Sequence, residues 1–319
     1  MKITPSFSIF KERNSDMKNL ILIDAHNLAY RMLFGFKTGK QELSSSGKET
    51  SIIYGFVRQI LSLMKDYQNS DVIICWDCKS KRRIALTNKA KAEGLIKTGY
   101  KEERQSLSEA DKETLSVQMA YLKTEILPKL AVCQISVDGY EADDVIFSYV
   151  KKYKEHACYI VSSDRDFYQA LSMPNVQVID CINHRVWTKE KFMEEYGFDP
   201  NLYVDYGAFV GEGGGGDNIP GVPNCGDKTA RKFVKEYGNV EAIISALQKK
   251  ETRTFREESV LKNLTLLGLS YELKKMDYIE LPDYSIQETD VEETKKMLVS
   301  WGFISFLKNA NVLCRISQD

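Results

Sequence analysis

The chain has 319 residues, 44 Lys+Arg against 45 Asp+Glu for a formal net charge of −1, and 43 % hydrophobic residues. That is ordinary globular composition, with ample chain for a core of one large domain or two unequal ones. It excludes a uniformly basic coat, and no apolar run approaches the roughly 18–20 residues of a membrane span, so no membrane partner is expected.

Residues 1–17 lack the apolar core of a secretory signal and read as an N-terminal extension. The run LILID (20–24) predicts a buried strand, followed by a helix over about 27–36, a Gly/Ser loop at 44–47 and a helix near 50–68. A second strand, DVIICWD (71–77), precedes a basic stretch. A long helix over 108–130 carries Leu115, Met119, Leu122 and Ile126 on one face. Strand 133–137, helix 142–153, strand 158–164, a short helix and strand 176–180 complete the pattern. Alternating helices and continuously apolar strands predict an α/β fold with a parallel central sheet flanked by helices, spanning 18–188. Beyond 189 the signals to 319 are helical, interrupted by the Gly-rich stretch 211–228. The seven scattered cysteines imply no disulfide framework and suit a reducing cytoplasm.

Three predicted strands end in Asp24, Asp77 and Asp164. In a parallel sheet these ends share one edge, with neighbouring strands about 4.8 Å apart. GYEADD (139–144) adds Glu141, Asp143 and Asp144 at a helix start, and Asp166 follows Asp164 by two. Glu141 and Asp144 are expected on one face, with Asp143 pointing elsewhere. Any one of these acids alone reads as a helix cap. Seven together repel unless cations sit among them, and oxygen donors without histidine suit Mg²⁺ or Mn²⁺. More than four carboxylates predicts two ions, the arrangement that clamps both oxygens in phosphoryl transfer. Cys75 and Cys78 lack the second close pair a zinc site needs, and His26, His156 and His184 match no metal spacing.

From Lys79 to Arg104 there are nine basic and three acidic residues, so charge is segregated along the chain. A segment of that charge beside an acidic metal rim would draw in a polyanion, with Tyr100, Phe36 and Trp76 as candidate base-stacking side chains. The stretch 217–238 reads as turn, hairpin and helix. Gly221 and Gly226 there permit close backbone approach, and Lys228, Thr229, Arg231 and Lys232 suit a phosphate backbone.

LIDAHNLAYR, GYEADD, VSSDRDF and DNIPGVPNCGDKTA, in that order, resemble the 5′-nuclease family: the 5′→3′ exonuclease domain of DNA polymerase I, phage 5′-exonucleases and flap endonucleases. The resemblance implies a PIN-like nuclease core, a basic helical arch over about 79–108 and a C-terminal helix–three-turn–helix region. It implies that Asp24, Asp77, Glu141 and Asp143 serve a first metal ion, and Asp144, Asp164, Asp166 and Asp217 mainly a second. TGYKEER resembles the family's arch signature, which makes Lys101 and Arg104 catalytic candidates that contact the scissile phosphate. Arg82, Arg83 and Tyr100 are then expected to contact DNA, and hairpin 221–229 to hold the duplex with a K⁺ ion. Where the family carries an acid ahead of Asp217, this chain has Gly214, and Glu212 becomes the candidate replacement ligand. The implied activity is Mg²⁺-dependent, structure-specific 5′→3′ exonuclease or flap endonuclease cleavage of DNA in replication or repair. An RNase H-like primer-removing nuclease acting on RNA–DNA hybrids and a non-catalytic DNA-binding module are the alternatives. A separate DNA polymerase, a monomeric state and the cytoplasm of a bacterial or phage-infected cell complete the expectation.

Overall fold

The computed structural model describes residues 18–38, 44–45, 48–103, 107–181, 183–213 and 216–315. The 1–17 extension, Arg104, Gly214 and the Phe36 side chain fall outside it.

Strands β1 (Asn19–Asp24), β4 (Ser70–Trp76), β5 (Cys133–Ser136), β6 (Ala157–Val161), β7 (Val176–Asp180) and β8 (Arg185–Trp187) form one sheet in the order β5-β4-β1-β6-β7-β8. The first five of these pair in parallel, and β8 lies antiparallel on β7. A two-residue pair, β2 (Ser44–Ser45) and β3 (Lys48–Glu49), stands apart. β1 is central, and its residues Leu20 to Ile23 are fully buried, as a strand covered on both faces requires. The three-residue β8 is absent from the sequence reading because so short a run shows no alternation. His184 turns the chain into it with φ 50°.

Helices α1 (Ala25–Thr38), α2 (Ser51–Asp66), α4 (Glu109–Tyr121) and α5 (Ala142–Lys152) lie close to their expected positions, and α3 (Lys81–Ala92) forms within the basic stretch. The expected 108–130 helix does not run straight. After α4 it widens into a π turn at Leu122–Ile126 and tightens into a 3₁₀ turn at Leu127–Lys129. Pro128 lacks the N–H that continued α-helix needs there.

The C-terminal part carries α6 (Lys189–Tyr196), α7 (Tyr203–Val210), α8 (Asp227–Tyr237), α9 (Val240–Lys249), α10 (Phe255–Lys262), α11 (Leu264–Lys274), α12 (Val291–Ser300) and α13 (Ala310–Leu313). Sheet residues Leu20 and Leu22 share one continuous core with Phe192, Phe209, Phe233 and Leu267, so helices α6–α11 extend that face. On the opposite face Ile21 and Ile23 pack with Ile52, Phe56, Leu298, Phe306 and Leu313. Among the described residues no helix is long and apolar enough to cross a membrane, and all seven cysteines are free thiols.

Candidate active site

The parallel order puts the ends of β4, β1 and β6 side by side. Asp24 closes β1 opposite Cys75, and Asp77 lies one residue beyond β4. Asp164 sits three residues past the end of β6, on the loop rather than in the strand, and caps a 3₁₀ helix at Arg165–Ser172. Each acid is held from behind. Asp24 accepts from Asn27 N at 3.0 Å and Ser162 Oγ at 3.3 Å, and Asp77 from Ala142 N at 2.8 Å. Asp164 accepts from Asp166 N at 2.8 Å. His26 accepts from Asp77 N at 3.2 Å and lies 3.8 Å from its carboxylate.

Burial and mutual repulsion act on all of them. Asp24 is pushed well above the usual carboxylate range by burial and by Asp77, Asp164 and Asp143. Burial and Asp166 push Asp164 up to about 7, while burial raises Asp77 and Asp166. A site that resists ionisation of its own acids, with oxygen donors only, fits a hard divalent cation whose charge would reverse that penalty. Among the described residues no three donors already converge into a closed cage. Basic side chains stand between them instead.

Arg83 is the central one. It is 1 % exposed, and its guanidinium pairs with Glu141, with Asp143 at 3.1 Å and with Asp144 at 3.0 Å. The expectation that Arg83 contacts DNA therefore fails on burial: its face of α3, shared with Thr87 and Ala90, is turned into the protein. Arg82 is likewise engaged, donating to Asp277 at 2.6 Å and to the carbonyls of Glu272 and Lys275 at 2.7 and 2.9 Å. Glu141 and Asp144 meet on one face and Asp143 points elsewhere, but Asp144 stands apart from the second-ion group that the resemblance implies for it. Asp144 is fully buried and turns back to accept from Glu141 N at 3.3 Å and Asp277 N at 2.7 Å, completing a capping box. Its contacts are with Arg83 and the backbone, not with Asp164 or Asp166. Asp143 is the one that faces Asp24 and Asp77. Burial opposes its ionisation, but Arg83 and Lys101 outweigh that and hold it below the usual range.

Tyr100 directs its hydroxyl, not its ring face, at the site, 2.8 Å from Glu141 and 2.9 Å from Asp217. Lys101 donates to Glu141 at 2.6 Å, lies 3.8 Å from Asp217, and is tied by its own N–H to Asp217 O at 3.2 Å. Trp76 is core: it is 3 % exposed, and its indole N–H donates to Gln134 at 3.1 Å.

Residues 19–197 match the 5′-3′ exonuclease N-terminal resolvase-like domain, and residues 198–296 the 5′-3′ exonuclease C-terminal SAM fold. The chain belongs to the 5′-3′ exonuclease family of nucleases. A 5′-3′ exonuclease of Aquifex aeolicus (strain VF5) is 32 % identical over 307 residues, covering 94 % of this chain and 97 % of that one. The thermostable DNA polymerase I of Thermus aquaticus is 31 % identical over 299 residues, covering 92 % of this chain but 33 % of the polymerase. Among solved structures, T5 5′-exonuclease with bound divalent metal ions (zinc) superposes at a TM-score of 0.64 and 20 % identity, over 93 % of this chain and 100 % of that one. Flap endonuclease-1 from Methanococcus jannaschii does so at 0.60 and 17 %, over 94 % and 92 %. These likenesses show a shared fold.

In this nuclease the hairpin before α8 exposes some of its basic side chains and commits others. Lys228 and Lys232 are exposed, Thr229 is half-buried, and Gly226 faces open space at the start of α8. Arg231 is not free for a phosphate: it stacks on Tyr196 at 4.2 Å and donates to Asp227 at 2.7 Å and Glu195 O at 3.1 Å. Gly221 is buried, and its N–H donates to Ser270 Oγ at 2.9 Å. It has φ +65°, and a Cβ there would lie 2.7 Å from Val210 O. The glycine thus serves the close approach of hairpin to α7 rather than of backbone to DNA. Gly221→Ala is expected to cost about 2–4 kcal/mol from left-handed strain and overpacking. Urea unfolding checks this, and a loss under 1 kcal/mol would contradict it.

The 275–279 segment after α11 carries no signal in the sequence. Met276 N donates to Gln169 Oε1 at 3.1 Å, Asp277 N to Asp144, and Ile279 N to Ser148 Oγ at 2.9 Å. Its contacts are to partners more than a hundred residues away, so local pattern carries no sign of them.

Proposed function

We propose that this nuclease hydrolyses phosphodiesters of DNA bearing a 5′ single-stranded end or flap, using two divalent cations, Mg²⁺ or Mn²⁺, in replication or repair. The observation that carries the reading is the crowding of Asp24, Asp77, Asp143, Asp164 and Asp166 at one sheet edge, where burial and neighbouring carboxylates oppose the ionisation of all but Asp143, which Arg83 and Lys101 hold charged. Cations held there would supply an activated water and neutralise charge on the phosphate. Asp24, Asp77 and Asp143 would hold one, and Asp164, Asp166 and Asp217 the other. Arg83 fixes Glu141 and Asp143 so that the acids are already oriented before substrate arrives. Lys101, at the solvent side of the same cluster, can leave Glu141 for a phosphate oxygen and stabilise its developing charge. Lys228 and Lys232 on α8 would grip the uncleaved duplex without reading sequence. The named activity of the Aquifex relative, matched over nearly its whole length, supports the same reading.

The test is cleavage of labelled 5′-flap, nicked, RNA–DNA hybrid and single-stranded substrates with Mg²⁺ or EDTA. Binding without Mg²⁺-dependent cleavage of any of them would sink it. Lys101→Ala is expected to slow single-turnover cleavage at least ~10²-fold, the scale of one lost electrostatic stabiliser. Flap binding should stay within threefold, and an unchanged rate would remove Lys101 from the mechanism.

A further inference from the structure

Lys274, the last residue of α11, reaches the carboxylate rim from a part of the chain with no other role in the proposed chemistry. Its ammonium donates to Asp166 at 2.7 Å and to Glu212 at 3.0 Å, and its side chain is only 10 % exposed. The stem lies flat on α7, where Gly207 leaves room: a Cβ at that position would be 3.4 Å from Lys274 Cγ. Gln169 locks the arrangement from behind. Its amide nitrogen donates to Asp166 O at 2.9 Å and Lys274 O at 3.3 Å, and its oxygen accepts from Met276 N. The lysine is therefore held in register with Asp166 rather than resting on the surface.

The two sides of the rim differ. Among the described residues, two of the three acids on the first side, Asp24 and Asp77, make no ion pair with lysine or arginine, the third, Asp143, pairing with Arg83, whereas on the other side Asp166 pairs with Lys274 and Asp217 lies 3.8 Å from Lys101. From residue 213 to 216 the chain is glycine only, so Glu212 is the sole carboxylate ahead of Asp217 in that loop. We propose that Lys274 is a built-in cation of the second metal subsite. It holds Asp166 and Glu212 together while that subsite is without its ion, and it must release Asp166 for a second divalent ion to enter. The ion on the Asp24, Asp77 and Asp143 side then binds first, and the second binds in competition with an ammonium group. Both claim the same carboxylate lone pairs, and a charge that is already paired gains less from a further cation. This rests on the two-ion reading above.

Calorimetric titration of the full chain with Mn²⁺ tests it without reference to cleavage. Wild type should bind one Mn²⁺ tightly and a second more weakly. Lys274→Met should tighten the second by about tenfold or more, the scale on which groups touching metal ligands shift affinity. The first should stay within twofold. Lys274→Arg, which keeps the charge, should retain the wild-type isotherm. Lys274→Gln, neutral but still able to donate to either carboxylate, gives the same comparison if the methionine variant does not fold. Identical second-site affinities in wild type and the neutral variants would overturn the role of Lys274 and leave the metal reading standing. No Mn²⁺ bound by any variant would overturn both.

Discussion

Asp24→Asn is expected to lower Mg²⁺-dependent cleavage by roughly 10³-fold, equivalent to about 4 kcal/mol of lost transition-state stabilisation, while the protein remains folded. Asp24 closes the central strand, and its oxygens face Asp77, Asp143 and Asp164. The amide keeps the shape and the acceptor that Asn27 N requires. The Ser162 hydroxyl, now a donor to Asp24, can turn to accept from the new NH₂. What disappears is one buried negative charge among several. The metal-free variant should therefore unfold at the same temperature as wild type or higher, because a repulsive group is gone. Single-turnover cleavage and thermal unfolding measure the two halves. Turnover within tenfold of wild type would remove Asp24 from the metal site, and a lowered unfolding temperature would show a structural role instead.

Arg83→Met should act in the opposite sense, costing about 3–5 kcal/mol because it strips the countercharge from a buried cluster. Arg83 holds Glu141, Asp143 and Asp144, two of them under 10 % exposed, and its own Nε finds no hydrogen-bond partner. The loss therefore reflects carboxylates left unpaired more than an ideal ion pair forgone. Adding Asp144→Asn should recover part of it, since one stranded charge is then removed, and a double-mutant cycle in urea reads the coupling. A single-variant loss below 1 kcal/mol would contradict the assignment. Cleavage should fall as well, because Asp143 would lose the group that fixes its orientation.

The two variants separate what was legible in the chain from what was not. Asp24, Asp77 and Asp164 follow from apolar runs that stop in an acid, since a parallel sheet has to bring such ends to one edge. The capping pair Glu141 and Asp144 follows from helical spacing. Arg83 carries only a faint signal: it lies at i, i+4, i+7 with Thr87 and Ala90, in a basic stretch whose charge points toward DNA. Lys274 carries none, because a lysine in the last turn of a helix is expected for the dipole alone. Arg82, Arg231 and Gly221 have the right types for DNA contact, yet each is committed inside the protein.

The sequence by itself determined the alternating α/β order, the acidic strand ends and the segregation of charge, because these depend on hydrophobic periodicity and on short-range spacing. Tertiary structure alone decided which charges meet. Arg83 pairs with acids about sixty residues on, and Lys274 with one more than a hundred residues back. Such partners are chosen by how helices pack on the sheet, and the energy of a buried ion pair depends on distance and desolvation that no local pattern encodes.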